Sequence, residues 1–274
     1  MAKIIVTHAG PDLDALTSIW LLRRFLPGWE RAKVNFVAAS ETFRGTPPDS
    51  NPEIAHVDTG RGELDHHQKN EYNSAANLCL QKILKLKDLK KVDRKALERL
   101  VAIVTEIDNG RDISWPEAIS DRYEFMPHLF LNDSPGETNV VDLAIEVLDK
   151  IFQALKNKIR AEEALKERQV FRTRWGKGLA IVTSNDQVLR VGQREGFVLV
   201  AKQNPKNGHL RIHGRWDKKV DLTGAYREFK KRDSAATWYL HPSCCLLLNG
   251  SRSDPKMVPT KLSLAEIVNV LQKA

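Results

Sequence analysis

The stretch KIIVTHAGPDLDALTSIWLLRRFL, Lys3 to Leu26, decides the fold. Lys3 to Thr7 is short, branched and apolar, the composition of a buried strand, and Asp14 to Leu26 places Leu16, Ile19 or Trp20, and Leu22 or Arg23 at helical spacing. A strand, a tight loop and a helix make the first unit of an α/β domain. The branched runs VNFVAA (Val34 to Ala39) and EIAHVDTG (Glu53 to Gly60) repeat the strand signal, and helical patterns follow at Ala75 to Leu86 and Asp93 to Ile107. This order predicts a mainly parallel, Rossmann-like sheet with helices on both faces.

Working outward, Val92 and Leu97 form a staple around Asp93 as helix cap, and Gly110 is the matching stop. An amphipathic pattern from Asn139 to Phe171 packs early and is solvated late, as expected of a connector helix hinged over Lys156 to Arg172. The expected organisation is a catalytic domain at 1–137, a connector helix at 138–172 and a smaller C-terminal α/β domain at 173–274. In that last domain GLAIVTS and GFVLVAK read as strands. In LSLAEIVNVLQK, Ser263 and Glu266 form a capping box, with Leu262 and Ile267 as its staple.

With 274 residues, 42% hydrophobic and 28% charged, the chain can bury a sizeable core. No apolar run approaches the roughly 18 residues of a membrane span, and the N-terminus lacks a signal-peptide pattern, so a cytoplasmic protein with no membrane partner is expected. Three cysteines, Cys79, Cys244 and Cys245, match no zinc or redox spacing, which suits a reducing compartment. The net charge of +8 is uneven: from Thr173 onward 18 Lys and Arg face 8 Asp and Glu, or +10, leaving 25 against 27, or −2, before it. The basic excess points to an anionic partner for the C-terminal third, with solvated lysine-rich faces as the ordinary alternative.

Ligands of parallel sheets bind at the carboxyl ends of the strands, where this chain places His8, Asp12 and Asp14, then Asp58, and, after a turn with Gly60 and Gly62, the triplet Asp65, His66 and His67. Asp108 ends a helix, where the dipole disfavours a carboxylate by roughly 0.3–1 kcal/mol. Singly, each has an ordinary role: His8 can cap a strand, Asp12 can sit in a turn after Pro11, Asp14 can cap a helix, and Asp108 can be a surface carboxylate. Together, four carboxylates at one spot would repel one another unless two divalent ions were present. Carboxylates with imidazole and no thiolate favour hard or borderline metals, Mn²⁺ before Mg²⁺, Fe²⁺ or Co²⁺.

In this order, HAGPDLD (His8 to Asp14), VDTG (Val57 to Gly60), LDHH (Leu64 to His67) and EIDNG (Glu106 to Gly110) resemble the four motifs of the DHH phosphoesterase superfamily. That group includes RecJ-type exonucleases, oligoribonucleases, cyclic-dinucleotide phosphodiesterases and family II inorganic pyrophosphatases. The resemblance implies a two-metal phosphoesterase in which His8 and Asp12 bind one ion, Asp14, His66 and Asp108 bind the other, and Asp58 bridges both. It further implies that Asp65 fixes a histidine tautomer and that His67 faces the leaving group. It covers residues 1–115 and is looser beyond, where YLHPSCCLLLNGSRSDP (Tyr239 to Pro255) resembles a DHHA1-like substrate loop with Cys244 and Cys245 in place of small residues.

By that likeness His241, Ser243, Asn249, Gly250, Ser251 and Arg252 are candidate substrate contacts. In HLRIHGRW, His209, Arg211, His213 and Arg215 alternate, so a strand would put them on one face, either solvated or turned towards an interdomain cleft. Basic residues from Arg211 to Arg232, among Trp216, Tyr226, Phe229, Trp238 and Tyr239, exceed what one pyrophosphate needs. The expected activity is hydrolysis of short single-stranded RNA or DNA, from the 3′ end by resemblance. The alternatives are a pyrophosphatase or phosphatase acting on a small nucleotide, and a non-catalytic metal-dependent nucleotide-binding module; a homodimer is left open.

Overall fold

The computed structural model describes residues 3–132, 137–250, 254 and 256–274. It divides into two compact units, residues 1–156 and 157–274. The first holds β1 (Ile4–His8), α1 (Leu13–Phe25), β2 (Lys33–Val37), β3 (Ile54–His56), α2 (Ala75–Leu86), α3 (Lys91–Asp108), α4 (Pro127–Asn132) and the first part of α5 (Glu137–Ala164). The three strands form a parallel sheet in the order β2-β1-β3, so β1 is paired on both sides. Buried residues run without a break from Leu13 to Leu22, which makes α1 the central helix of this unit. Trp20, Phe25 and Phe152 meet edge to face at 5.2–5.7 Å between ring centroids, and the Trp20 indole donates to Asp149.

Two local expectations are corrected. EIAHVDTG does not stay extended: the ladder covers only Ile54–His56, because Asp58 enters the left-handed region at φ 57° and the chain turns, leaving one isolated bridge between Val57 and Leu64. Asp93 does not cap α3, which begins at Lys91 without a side-chain cap; its carboxylate instead pairs with Lys156 at 2.6 Å. Gly110, at φ 63°, does stop that helix, with the Gly110 and Arg111 amides bonding back to Ile107 and Glu106.

The second unit holds the rest of α5, β4 (Gln169–Thr173), β5 (Gly176–Val182), α6 (Gln187–Arg194), β6 (Leu199–Gln203), β7 (Leu210–Gly214), α7 (Thr223–Arg232), β8 (Tyr239–Leu240), β9 (Leu246–Asn249) and α8 (Leu264–Lys273). The chain is therefore α/β, but the larger sheet is here and is mixed. Its order is β4-β5-β6-β7-β9-β8, and only β5 and β6, joined by a crossover through α6, run parallel. The segment read as connector does not stay helical either, since α5 stops at Ala164 and residues 169–173 form β4 on β5.

One face of this sheet (Leu199, Ala201, Leu210, Ile212, Leu247) packs against Ala225, Phe229, Ile267 and Leu271 of α7 and α8. On the other, Leu179, Ile181 and Val200 pack against Ala161 of α5, Leu165 just after it, and Val188 and Leu189 of α6, and among the described residues no side chain of β7, β9 or β8 joins that cluster. The capping box of α8 forms as its sequence specifies, with Leu262 packed in the same cluster as Ile267. No helix among the described residues is long and apolar enough to cross a membrane.

Candidate metal centre

The end of β1, the segments that follow β1 and β3, and the last residue of α3 bring four carboxylates and two histidines of the first unit to one place. Asp12 caps α1, its Oδ1 accepting from the Ala15 amide at 3.0 Å. Asp14, in the first turn of α1 and only 2% exposed, accepts from the Ala75 and Ala76 amides at 2.7 and 2.8 Å, at the start of α2. Helix N-termini favour anions, so α1 and α2 each hold one carboxylate by its backbone-facing side. At β1, His8 has Nδ1 against the Ala9 carbonyl and Nε2 at 3.3 Å from Asp58 Oδ2. The His66 Nε2 atom lies 3.4 Å from Asp58 Oδ1, 3.5 Å from Asp108 Oδ2 and 3.8 Å from Asp14 Oδ2.

These atoms make three overlapping donor sets: His8, Asp12 and Asp58; Asp14, His66 and Asp108; and Asp58, His66 and His67. Asp58 joins the first set to the third, and His66 joins the third to the second. Asp58 Oδ1 and His66 Nε2 are buried without a hydrogen-bond partner among the described residues, although they face each other. Orphaned buried donor atoms of this kind are costly unless something fills the space between them. The electrostatics agree. Burial first, then Asp58 and Asp108, pushes the Asp14 carboxyl well above the usual carboxylate range, and burial pushes Asp108 to about 6. His8 and His66 are drawn up to about 9, chiefly by Asp58. Burial opposes ionisation of Asp58 too, but His66 and His8 outweigh it and hold its carboxyl below the usual range. Protons thus balance a cluster that divalent cations would balance through every donor at once, and a set made only of oxygen and imidazole nitrogen fits hard or borderline metals.

Asp65 stands apart from these sets. Its buried carboxylate accepts from the Arg61 amide at 2.7 Å, the His67 amide at 3.0 Å and His67 Nδ1 at 2.8 Å. The histidine it orients is His67, not His66. His67 is the exposed member, with 58% of its side chain accessible, and its Nε2 is the ring atom left for a ligand.

Several supporting residues escaped the sequence reading. Gln68 donates to the Gly62 carbonyl at 2.6 Å and closes the turn that returns the triplet. Ser74, the cap of α2, meets Thr105 at 2.9 Å, and Asn109 donates to the Asn73 carbonyl at 2.8 Å, tying α2 to the end of α3 where Asp108 sits. Only Asn109 had a signal, its place in EIDNG.

The second-unit candidates fare unevenly. Arg211 and His213 share the half-buried face of β7, but the strand ends at Gly214, so Arg215 lies beyond the alternation and binds Asp217 through two bonds of 2.9 and 2.6 Å. Arg211 pairs with Asp186 at 3.0 Å, and burial, with Arg211 beside it, pushes His213 down to about 4. Asn249 is corrected: it is fully buried, donating to the Thr237 and Val258 carbonyls and accepting from the Thr260 amide, so its amide is spent on the fold. Gly250, at φ 101°, packs so closely on His209 that a Cβ would lie 2.2 Å from the ring. His241 Nδ1 meets the Ser243 hydroxyl at 2.8 Å on an exposed loop, where Cys244 takes φ 56° and both cysteines are free thiols. Ser251 and Arg252 lie outside the described residues. Among the rings, Phe229 and Trp238 stack within the core, whereas Trp216 is 83% exposed and Tyr239 47%.

No family model matches this sequence, and no curated protein does. Among solved structures the chain is similar to RecJ from Thermus thermophilus in complex with Mg²⁺, at 11% identity and a TM-score of 0.35, over 99% of this chain and 49% of that one. It is also similar to the DHH domain of a member of a family of ribosomal proteins, at 10% identity and a TM-score of 0.35, over 99% and 86% of the two chains. A third likeness is to an exopolyphosphatase-related protein from Bacteroides fragilis, at 13% identity and a TM-score of 0.25, over 99% and 91%. The chain thus spans about half the length of RecJ. Likenesses this distant leave the chemistry to be read from the side chains.

Proposed function

We propose that this chain is a metal-dependent phosphoesterase of the DHH type, hydrolysing phosphodiester bonds of short single-stranded nucleic acid in the cytoplasm. The observation that carries the reading is the pair of donor sets, His8, Asp12 and Asp58 against Asp14, His66 and Asp108, linked through Asp58 and His66 by the contact of Asp58 Oδ1 with His66 Nε2. Those six residues would hold two divalent ions, Mn²⁺ by preference. When bound, such ions neutralise charge on the phosphoryl oxygens and acidify water.

The chain's own residues do the rest. Asp12 and Asp14 are aimed by α1 and α2, so their free lone pairs are fixed before any ligand arrives. Asp65 accepts a hydrogen bond from His67 Nδ1–H, which fixes the ring and leaves Nε2 as the atom that would hand a proton to the leaving oxygen. Support for a nucleic-acid substrate comes from the +10 balance after Thr173 and from the exposed rings of Trp216 and Tyr239, surfaces on which bases stack. A small nucleotide or pyrophosphate is the second reading, favoured by one observation: Arg211, Arg215 and Arg232 are engaged by Asp186, Asp217 and Glu228, so the cationic surface is smaller than the count of charges.

The test is turnover of a generic phosphodiester with Mn²⁺, with and without chelator, followed by a comparison of a short oligonucleotide with pyrophosphate. Chelator-sensitive hydrolysis favouring the oligonucleotide, released from its 3′ end, is expected. Hydrolysis highest on pyrophosphate would select the second reading, and metal binding with no turnover of any of the three would leave a binding module.

A further inference from the structure

We propose that the β7-β9-β8 surface of the second unit's sheet is a pocket for a nucleoside, recognising the base and sugar of the ligand rather than its phosphate. The floor is set by the strand register. Arg211 on β7, Leu248 on β9 and Tyr239 on β8 are successive cross-strand partners, and His213 lies opposite Leu246. Antiparallel partners project from the same side of a sheet, so these five side chains share one surface. The surface lines a cavity of about 690 Å³ whose rim includes Asp254 and Met257 and whose lining residues all lie outside the helices. That size falls in the roughly 300–1,000 Å³ of small-ligand sites.

The lining is apolar and aromatic at its centre and polar at its edges. Leu246, Leu248 and the half-exposed Tyr239 ring offer a flat surface for a planar ring. At the β7 edge Arg211 already holds Asp186, which also takes the Lys202 ammonium, so a carboxylate shares whatever positive charge is present. His213 is half-buried and its ring nitrogens make no hydrogen bond among the described residues. Burial and the neighbouring Arg211 keep it uncharged at neutral pH, and a neutral imidazole offers one donor and one acceptor. A donor beside an acceptor complements the edge of a nucleobase. A free phosphate or pyrophosphate carries mainly acceptors and charge, and would meet the Asp254 carboxylate in the pocket and an Arg211 already paired with Asp186.

That this ligand is part of a substrate rests on the phosphoesterase reading; that the pocket binds it does not. The full chain, held in EDTA, is titrated with adenosine and in parallel with inorganic pyrophosphate by calorimetry and saturation-transfer NMR. Adenosine is expected to bind without metal and pyrophosphate not to compete with it. Binding should weaken at least tenfold in His213→Ala and be lost in Leu248→Arg, with His213→Ala alone deciding if the arginine variant does not fold. Absence of saturable adenosine binding, unchanged binding in a folded variant, or competition by pyrophosphate would overturn the proposal. Adenosine binding without any metal-dependent hydrolysis would overturn the phosphoesterase reading and keep the pocket, and the reverse result would do the opposite.

Discussion

A buried carboxylate in the left-handed backbone region is costly in two ways, by about 1–3 kcal/mol of strain and by desolvation, and Asp58 carries both. The same turn points its two oxygens at different histidines, His8 and His66. If those contacts stand where ions bind, Mn²⁺ should raise the melting temperature of the wild type by mass action, and Asp58→Asn should lose most of that rise; scanning fluorimetry with and without Mn²⁺ checks it, and an equal rise in both would remove Asp58 as a bridging ligand. The two histidines of the triplet should separate cleanly. His66 sits among three carboxylates, so His66→Ala should lose metal, whereas His67→Ala should keep it and slow turnover by about 10² to 10⁴ as the loss of a general acid. Metal analysis beside a rate measurement distinguishes them, and equal metal loss would reverse the assignment. Both histidines were legible as candidate donors from LDHH, but which one Asp65 orients was not. Neighbours in sequence give no information on which ring meets a carboxylate across a turn.

Among the elements, α8 and β7 show what local sequence controls. The Ser263 hydroxyl and the Glu266 carboxylate satisfy each other's amides, so Ser263→Ala should cost roughly 0.5–2 kcal/mol in denaturant unfolding. Glu266 is held below the usual carboxylate range by the Ser263 hydroxyl and amide. A depressed carboxyl stabilises the fold above its unfolded pKa, and that contribution is lost as pH falls through the depressed value, so the difference between wild type and Glu266→Gln should shrink on acidification below pH of about 4. In β7, Gly214 has Val220 so near that a Cβ would lie 2.3 Å from its Cγ1. Gly214→Ala should therefore destabilise by about 1–3 kcal/mol, the usual range for overpacking, measured by the same unfolding. The capping box and the Arg211 and His213 alternation were readable because they depend on spacings of two and three residues. The end of β3 was not, because it is set by the turn at Asp58.

For the molecule as a whole, each unit has its own buried core, and the donor cluster belongs to the first alone. Calorimetry with Mn²⁺ should therefore move the transition of residues 1–156 upwards, by the equivalent of about 2.7 kcal/mol at a hundredfold excess over the dissociation constant, and leave that of residues 157–274 in place. Equal shifts of both transitions would mean that the metal binds elsewhere or that the units unfold together.

The sequence by itself determined the α/β class, the parallel strands of the first unit, the capping of α8 and the identity of the residues that gather at the donor cluster. These follow from hydrophobic period, from turn chemistry and from the oxygen and imidazole donors placed just after successive strands, all of which act over a few residues. Long-range packing alone sets that the larger sheet is mixed, that Asn249 is spent on the core, that Arg211 and Arg215 are held by Asp186 and Asp217, and that β7, β9 and β8 stay out of the cluster packed on the sheet's second face. A charge pattern counts cations without saying which carboxylates fold against them, and strand periodicity marks two faces without saying which of them a helix will cover.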